Sequence, residues 1–157
     1  MEKIWKTNLK RELKIRLLTS TVEAILLYGS ETWSLSKKQE KELDGCYTRI
    51  LRKVLNISWK EHVTNKDLYG KLPKITEKIR IRRLKLAGHC SRHPEEVAAN
   101  LVLWVPDRNS RDRGRPKITY LDTLKRDTGL NLEELHACMQ DRAQWKTIIA
   151  RARESSN

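Results

Sequence analysis

The chain has 157 residues, a formal net charge of +13 and a pI near 9.9, with 33 Lys and Arg against 20 Asp and Glu. That excess points to a polyanion as partner, a phosphate backbone before an anionic membrane face. Three well-separated cysteines and the lack of a long apolar run argue against a disulfide framework and a membrane-spanning helix, and with Phe absent the core must rest on Leu, Ile, Val and five Trp.

The elements, in chain order, all read as helices. Asn8 to Tyr28 carries apolar residues at Ile15, Leu18, Val22, Ile25 and Leu26, a 3-4 spacing that predicts one buried stripe. Lys10, Arg11, Lys14 and Arg16 are expected to stay in water, and Gly29 to end the helix. Ser36, with Gln39 in the capping-box position, opens a second helix. Its face is Leu43, Cys46, Tyr47, Ile50, Leu51 and Val54. Two helices joined by so short a turn are expected to pack antiparallel. Thr64 with Asp67 marks a further N-cap, and Pro73 precedes a long basic helix over Ile75–Arg92. KIRIRRLKL also alternates like a strand; its length and its Lys, Arg and Leu content favour helix. Glu95 to Leu103 reads as a short helix. Beyond it, Val105 to Lys117 has two Pro, one Gly and almost no apolar residue, so it reads as an exposed linker. Ile118 to Asp127, a segment capped by Asn131 and Glu134, and one capped by Asp141 and Gln144 complete the chain. No internal repeat is visible. The expected fold is all-α: an antiparallel helical bundle over 1–104, a basic linker at 105–117 and a small C-terminal helical unit over 118–157.

Candidate binding residues follow from the charge. Lys78, Arg80, Arg82, Arg83, Lys85 and Arg92 lie on the long helix, with Lys78, Arg82 and Lys85 on one stripe suited to backbone phosphates. That assignment requires the cations to face outward. In the linker, Arg113-Gly114-Arg115-Pro116 matches the core of an AT-hook, and Arg108, Arg111 and Lys117 extend its charge. A flexible arm that binds phosphate generally, and a plain linker, are the other readings of that stretch. Trp33, Trp59, Trp104 and Trp145 fall near element ends, where core packing is commoner than base stacking.

Chemistry is harder to find. Cys90-x-x-His93 and His136-x-Cys138 could be imagined as a four-ligand zinc site, but the second pair has the wrong spacing and neither sits on a knuckle-like turn, so no metal or other cofactor is expected. No two Asp are adjacent; Asp67, Asp107, Asp122 and Asp127 are scattered, which disfavours two-metal catalysis. The chain is therefore expected to lack a catalytic centre.

Several phrases resemble one family. Leu26-Leu27-Tyr28-Gly29-Ser30-Glu31-Thr32-Trp33 comes first, then Leu51-Arg52-Lys53-Val54-Leu55-Asn56-Ile57. Arg82-Arg83-Leu84-Lys85-Leu86-Ala87-Gly88-His89 with Arg92, Gly114-Arg115-Pro116-Lys117 and Asp141-Arg142 with Trp145 follow in order. The ordered series, from about Lys10 to Arg153, resembles the C-terminal part of the endonuclease–reverse transcriptase of LINE-type (non-LTR) retrotransposons. The resemblance implies a thumb-like helical bundle up to about Arg92, followed by a basic tail. It also implies RNA template, primer duplex or target DNA as ligand, with a polymerase core supplied by a longer element protein. The palm's paired Asp and the endonuclease have no counterpart here, so enzymatic activity is not carried over. A fragment, a truncated copy or a retained host frame is the expected origin, located in the nucleus or cytoplasm and not secreted. The alternative is a helical interaction bundle with no ligand of its own, marked by an apolar patch around Tyr28, Trp33 and Trp59.

Overall fold

The computed structural model describes residues 5–104 and 118–154. Among the described residues the chain is all-helical, with no strand. The helices are α1 (Arg11–Leu18), α2 (Lys37–Leu55), α3 (Asn65–Tyr69), α4 (Ile75–Arg92), α5 (Val97–Val102), α6 (Tyr120–Thr128), α7 (Leu132–Gln140) and α8 (Arg142–Glu154). The long basic segment is thus a helix over the expected residues, and its alternation of polar and apolar residues does not make a strand. The expected linker at 105–117 lies outside the described residues.

The chain forms two compact units. One comprises the described residues of Met1–Tyr28 with Lys37–Lys78; the other is Gly29–Ser36 with the described residues of Ile79–Asn157. This differs from the boundary expected near Val105. The second unit begins inside α4 because Leu84 and Ala87 belong to the same core as α6, α7 and α8.

In the first unit, α1 runs without a break into a π-helical turn, Thr19–Glu23, and a last α turn, Ala24–Leu26. The Leu17 carbonyl accepts from Thr21 Oγ1 at 2.6 Å and Ser20 Oγ at 3.2 Å, hydroxyl contacts of the kind that accompany a widened turn. The π turn shifts the buried face. Lys14, Leu18, Glu23 and Leu27 are buried, at intervals of four, five and four residues. Ile25, expected in the core stripe, is instead 77% exposed. Lys14, expected in water, is buried, and its Nζ donates to the Trp5 carbonyl at 2.7 Å. Arg11 Nη2 reaches the Leu68 carbonyl at 2.6 Å.

The same shift brings a carboxylate inside. Glu23 Oε2 accepts from Tyr47 Oη of α2 at 2.8 Å, and Glu23 Oε1 from Lys78 Nζ at 2.6 Å. Asp44 of α2 accepts the Thr76 amide at 3.2 Å and its hydroxyl at 2.9 Å, which satisfies orphan donors at the start of α4. Leu18, Tyr47, Leu51, Val54, Leu68 and Ile75 are buried in the same unit.

The helices of the second unit are capped, at Asn131 and Asp141 as the sequence predicts and at Thr119 in addition. Asn131 and Glu134 form a reciprocal capping box, as do Thr119 and Asp122. Asp141 Oδ1 accepts the Ala143 and Gln144 amides at 2.8 and 3.2 Å. Gly129 ends α6 at φ 73°, a left-handed conformation that suits glycine. Leu84, Ala87, Leu121, Leu124, Leu135, Met139, Trp145 and Ala152 make one core.

Two phenols make the fold sensitive to alkali. Burial, helped by the Glu23 carboxylate, pushes the Tyr47 pKa well up; burial does the same for Tyr120 against the lowering pull of Arg83. A raised folded pKa means that the native state holds the proton more tightly than the unfolded chain. The contribution is therefore complete below the unfolded pKa of about 10 and is lost as pH rises beyond it. In a spectroscopic titration, loss of helix is expected to coincide with ionisation of these two phenols.

Candidate nucleic-acid interface

The cations proposed on α4 have different fates. Arg83 is only 2% exposed. Its Nε and Nη2 donate to Asp127 Oδ2 at 2.9 and 2.6 Å, and its Nη1 donates to the Trp33 carbonyl at 2.8 Å. A guanidinium so buried and engaged is a core residue, which corrects its assignment as a phosphate contact. Lys78 is likewise committed to Glu23. Arg80 Nη2 donates to the Ala152 carbonyl at 2.5 Å, so this arginine braces α8. Arg82 stays at the surface, 3.7 Å from Glu31 Oε2; an exposed pair of this kind contributes about 0–1 kcal/mol and rearranges readily. Lys85 is exposed, and Arg92 is half-buried with Nη1 donating to the Met139 carbonyl at 2.8 Å. The stripe Lys78, Arg82, Lys85 therefore does not act as a unit.

A different surface gathers the positive charge. Lys85 and Arg92 line one side of a groove of about 360 Å³ in the second unit; Arg142, Lys146, Ile149, Ala150 and Arg153 line the other, and Trp145 lies at its base. Five cations face this groove, and no carboxylate is among its lining residues. Helical spacing explains the arrangement. Lys85 and Arg92 are two turns apart on α4, while Arg142, Lys146, Ala150 and Arg153 share one face of α8. Arg142, Lys146 and Arg153 were not among the candidates read from sequence. Their four- and seven-residue spacing on one helix was a usable signal, outweighed by the denser cluster on α4.

Gly88 leaves room for the Trp145 indole against α4. Trp145 is buried, and its indole N–H donates to the Leu84 carbonyl at 2.8 Å. A Cβ on Gly88 would overlap Nε1 and Cδ1 of that indole. Gly88→Ala is therefore expected to cost about 1–3 kcal/mol through overpacking, despite the better helix propensity of alanine. Chemical denaturation monitored by circular dichroism checks this; unchanged stability would show that the two helices tolerate separation.

The remaining candidates are easily placed. Arg108, Arg111, Arg113, Gly114, Arg115 and Lys117 lie outside the described residues. Asp67, Asp122 and Asp127 each have a structural partner, in the Thr64 cap, the Thr119 cap and Arg83. Cys90 is buried, and burial pushes its thiol pKa up. The rings of His89 and His93 lie 4.6 Å apart, tilted at 44°, and sit 3.3 Å from Glu96 and Glu95 respectively. No group of three or more His, Cys, Asp or Glu among the described residues is arranged to hold a metal, and no helix among them is long and apolar enough to cross a membrane. Trp59 and Trp104, expected to pack into a core, are exposed.

Comparisons with protein-family models, with curated proteins and with solved structures return no match.

Proposed function

We propose that this chain is a non-catalytic nucleic-acid-holding segment that grips phosphates through the groove between α4 and α8. The observation that carries the reading is the acid-free lining of Lys85, Arg92, Arg142, Lys146 and Arg153. Phosphate-rich backbones fit such a surface because each cation displaces condensed counterions, which favours binding in proportion to the number of contacts. The overall charge of +13 adds a long-range attraction of the same sign. The arm containing Arg108, Arg111, Arg113, Gly114, Arg115 and Lys117 would add contacts without specifying bases.

The ordered phrases described above support a role like that of the thumb and post-thumb region of a LINE-type reverse transcriptase. The ligand would then be an RNA template, a primer duplex or target DNA, held beside a polymerase core supplied by a longer protein. Gel-shift titration of the chain with a duplex at two salt concentrations tests the reading. The expected result is steep weakening at the higher salt; no shift at low salt refutes it.

One observation favours a second reading, an interaction bundle without a nucleic-acid ligand. Tyr28 and Ile25 are 86% and 77% exposed in the first unit, more than their apolar surface favours. Self-association that a Tyr28→Ser substitution abolishes would support it.

A further inference from the structure

Trp59 is 79% exposed on a short 3-10 turn, Trp59–Glu61. Ser58 Oγ accepts the Lys60 amide at 3.4 Å, and the Ser58 amide donates to Glu61 Oε1 at 2.8 Å. On the entering side, the Ile57 amide donates to the Arg52 carbonyl at 3.0 Å. On the leaving side, Arg52 Nη2 donates to the Val63 carbonyl at 2.7 Å and reaches Asn65 Oδ1 at 2.9 Å. The indole is therefore presented by a latched turn rather than by a loose loop. Hydrophobicity gives no reason for a large aromatic ring to stand in water there, since burying it would be favourable.

Charge lies beside it. Ser58 and Glu61 of the same turn line a second groove, of about 470 Å³, with Lys6, Arg52 and Lys53. Three cations face one carboxylate, and that carboxylate already accepts the Ser58 amide. Lys60 Nζ stands 5.9 Å from the indole centroid and adds a fourth positive charge at the ring. A flat aromatic platform next to a basic groove suits a ligand with an exposed π-face and a charged backbone, and a single nucleic-acid strand has both. A duplex hides its base faces in the stack, so it would use the cations alone.

We infer that Trp59, with the basic groove lined by Lys6, Arg52 and Lys53, is a stacking site for an unpaired base in single-stranded nucleic acid. The site is in the first unit and shares no residue with the groove between α4 and α8. It rests on the nucleic-acid reading for its class of ligand, and on its own geometry for its preference for unpaired strands.

Fluorescence anisotropy with the full chain tests it, using a labelled oligodeoxythymidylate and a labelled blunt duplex of the same length. Trp59→Ala is expected to weaken binding of the single strand by about tenfold or more while leaving duplex binding and its salt dependence unchanged. Trp59→Tyr should restore most of the loss, and Trp104→Ala, at another exposed tryptophan, should change neither. Circular dichroism checks that each variant is folded, which exposure of the ring makes the expected outcome. Equal single-strand affinity for Trp59→Ala and the unaltered chain overturns the inference. So does loss of self-association without loss of affinity, which would make the ring a contact between two copies. Duplex binding that persists in either case leaves the reading of the other groove standing; its absence in the unaltered chain removes that reading instead.

Discussion

Replacing Arg83 with leucine is expected to destabilise the second unit by about 3–5 kcal/mol, the largest stability effect of any single charge on α4. The reason lies in what remains behind. Asp127, itself only 6% exposed, would keep a carboxylate with its two guanidinium donors removed, and the Trp33 carbonyl would lose its partner as well. Desolvation of an ion is costly, and only the close pairing at 2.6 Å offsets it here. Arg83→Lys would not restore the arrangement, because a single ammonium cannot replace the planar fork. Three comparisons make the result diagnostic. Arg82→Gln, one residue away on the exposed face, should change stability by about 0.5 kcal/mol or less. Arg83→Leu combined with Asp127→Leu should recover part of the loss, because no buried charge is then stranded. Hydrogen exchange should show the loss in α6, α7 and α8, whose core contains Leu84 of the same helix. A single substitution no more harmful than Arg82→Gln would mean that Asp127 finds water in solution and that the pair is not structural.

The fate of Arg83 shows where sequence reasoning ran short. Helix existence was legible, because apolar spacing and caps such as Asn131 with Glu134 are local signals. The ends of α4 were legible for the same reason. What each cation on α4 faces is not a local property. Adjacent arginines 82 and 83 point about 100° apart on a helix, so one meets solvent and the other meets Asp127, which is 44 residues away in sequence. Ile25 was misplaced because a π turn has no simple periodic signature, and one extra residue rotates every later side chain out of the expected stripe. The groove was missed because it is assembled from two helices that are more than 40 residues apart in sequence, and neither half is conspicuous alone. The unit boundary moved from Val105 into α4 for a related reason: linker composition marks where a chain is polar, whereas the core depends on which apolar faces meet.

A triple substitution on α8, Arg142→Gln, Lys146→Gln and Arg153→Gln, is expected to have the largest effect on binding. These three residues are exposed, so glutamine should leave the fold intact, unlike any change at Arg83. If all five groove cations contact phosphates, the slope of log affinity against log salt should be about −4 to −5 on duplex DNA. Removing three contacts should shrink it by about 2 to 3 and weaken binding strongly at low salt. The slope is the better measure than affinity, because it counts displaced counterions and does not depend on which bases are present. Lys85→Gln should lower it by about one more. Position matters in this test, since general electrostatic attraction to a chain of charge +13 would respond to any lost cations. Lys38, Lys41 and Arg49, exposed on α2, supply a control with the same change in net charge. Groove variants that alter the slope no more than that control would show that the protein attracts polyanions as a diffuse cloud and that the acid-free lining is incidental. A slope that falls only for the α8 substitutions would show that phosphates are held at defined places along two helices.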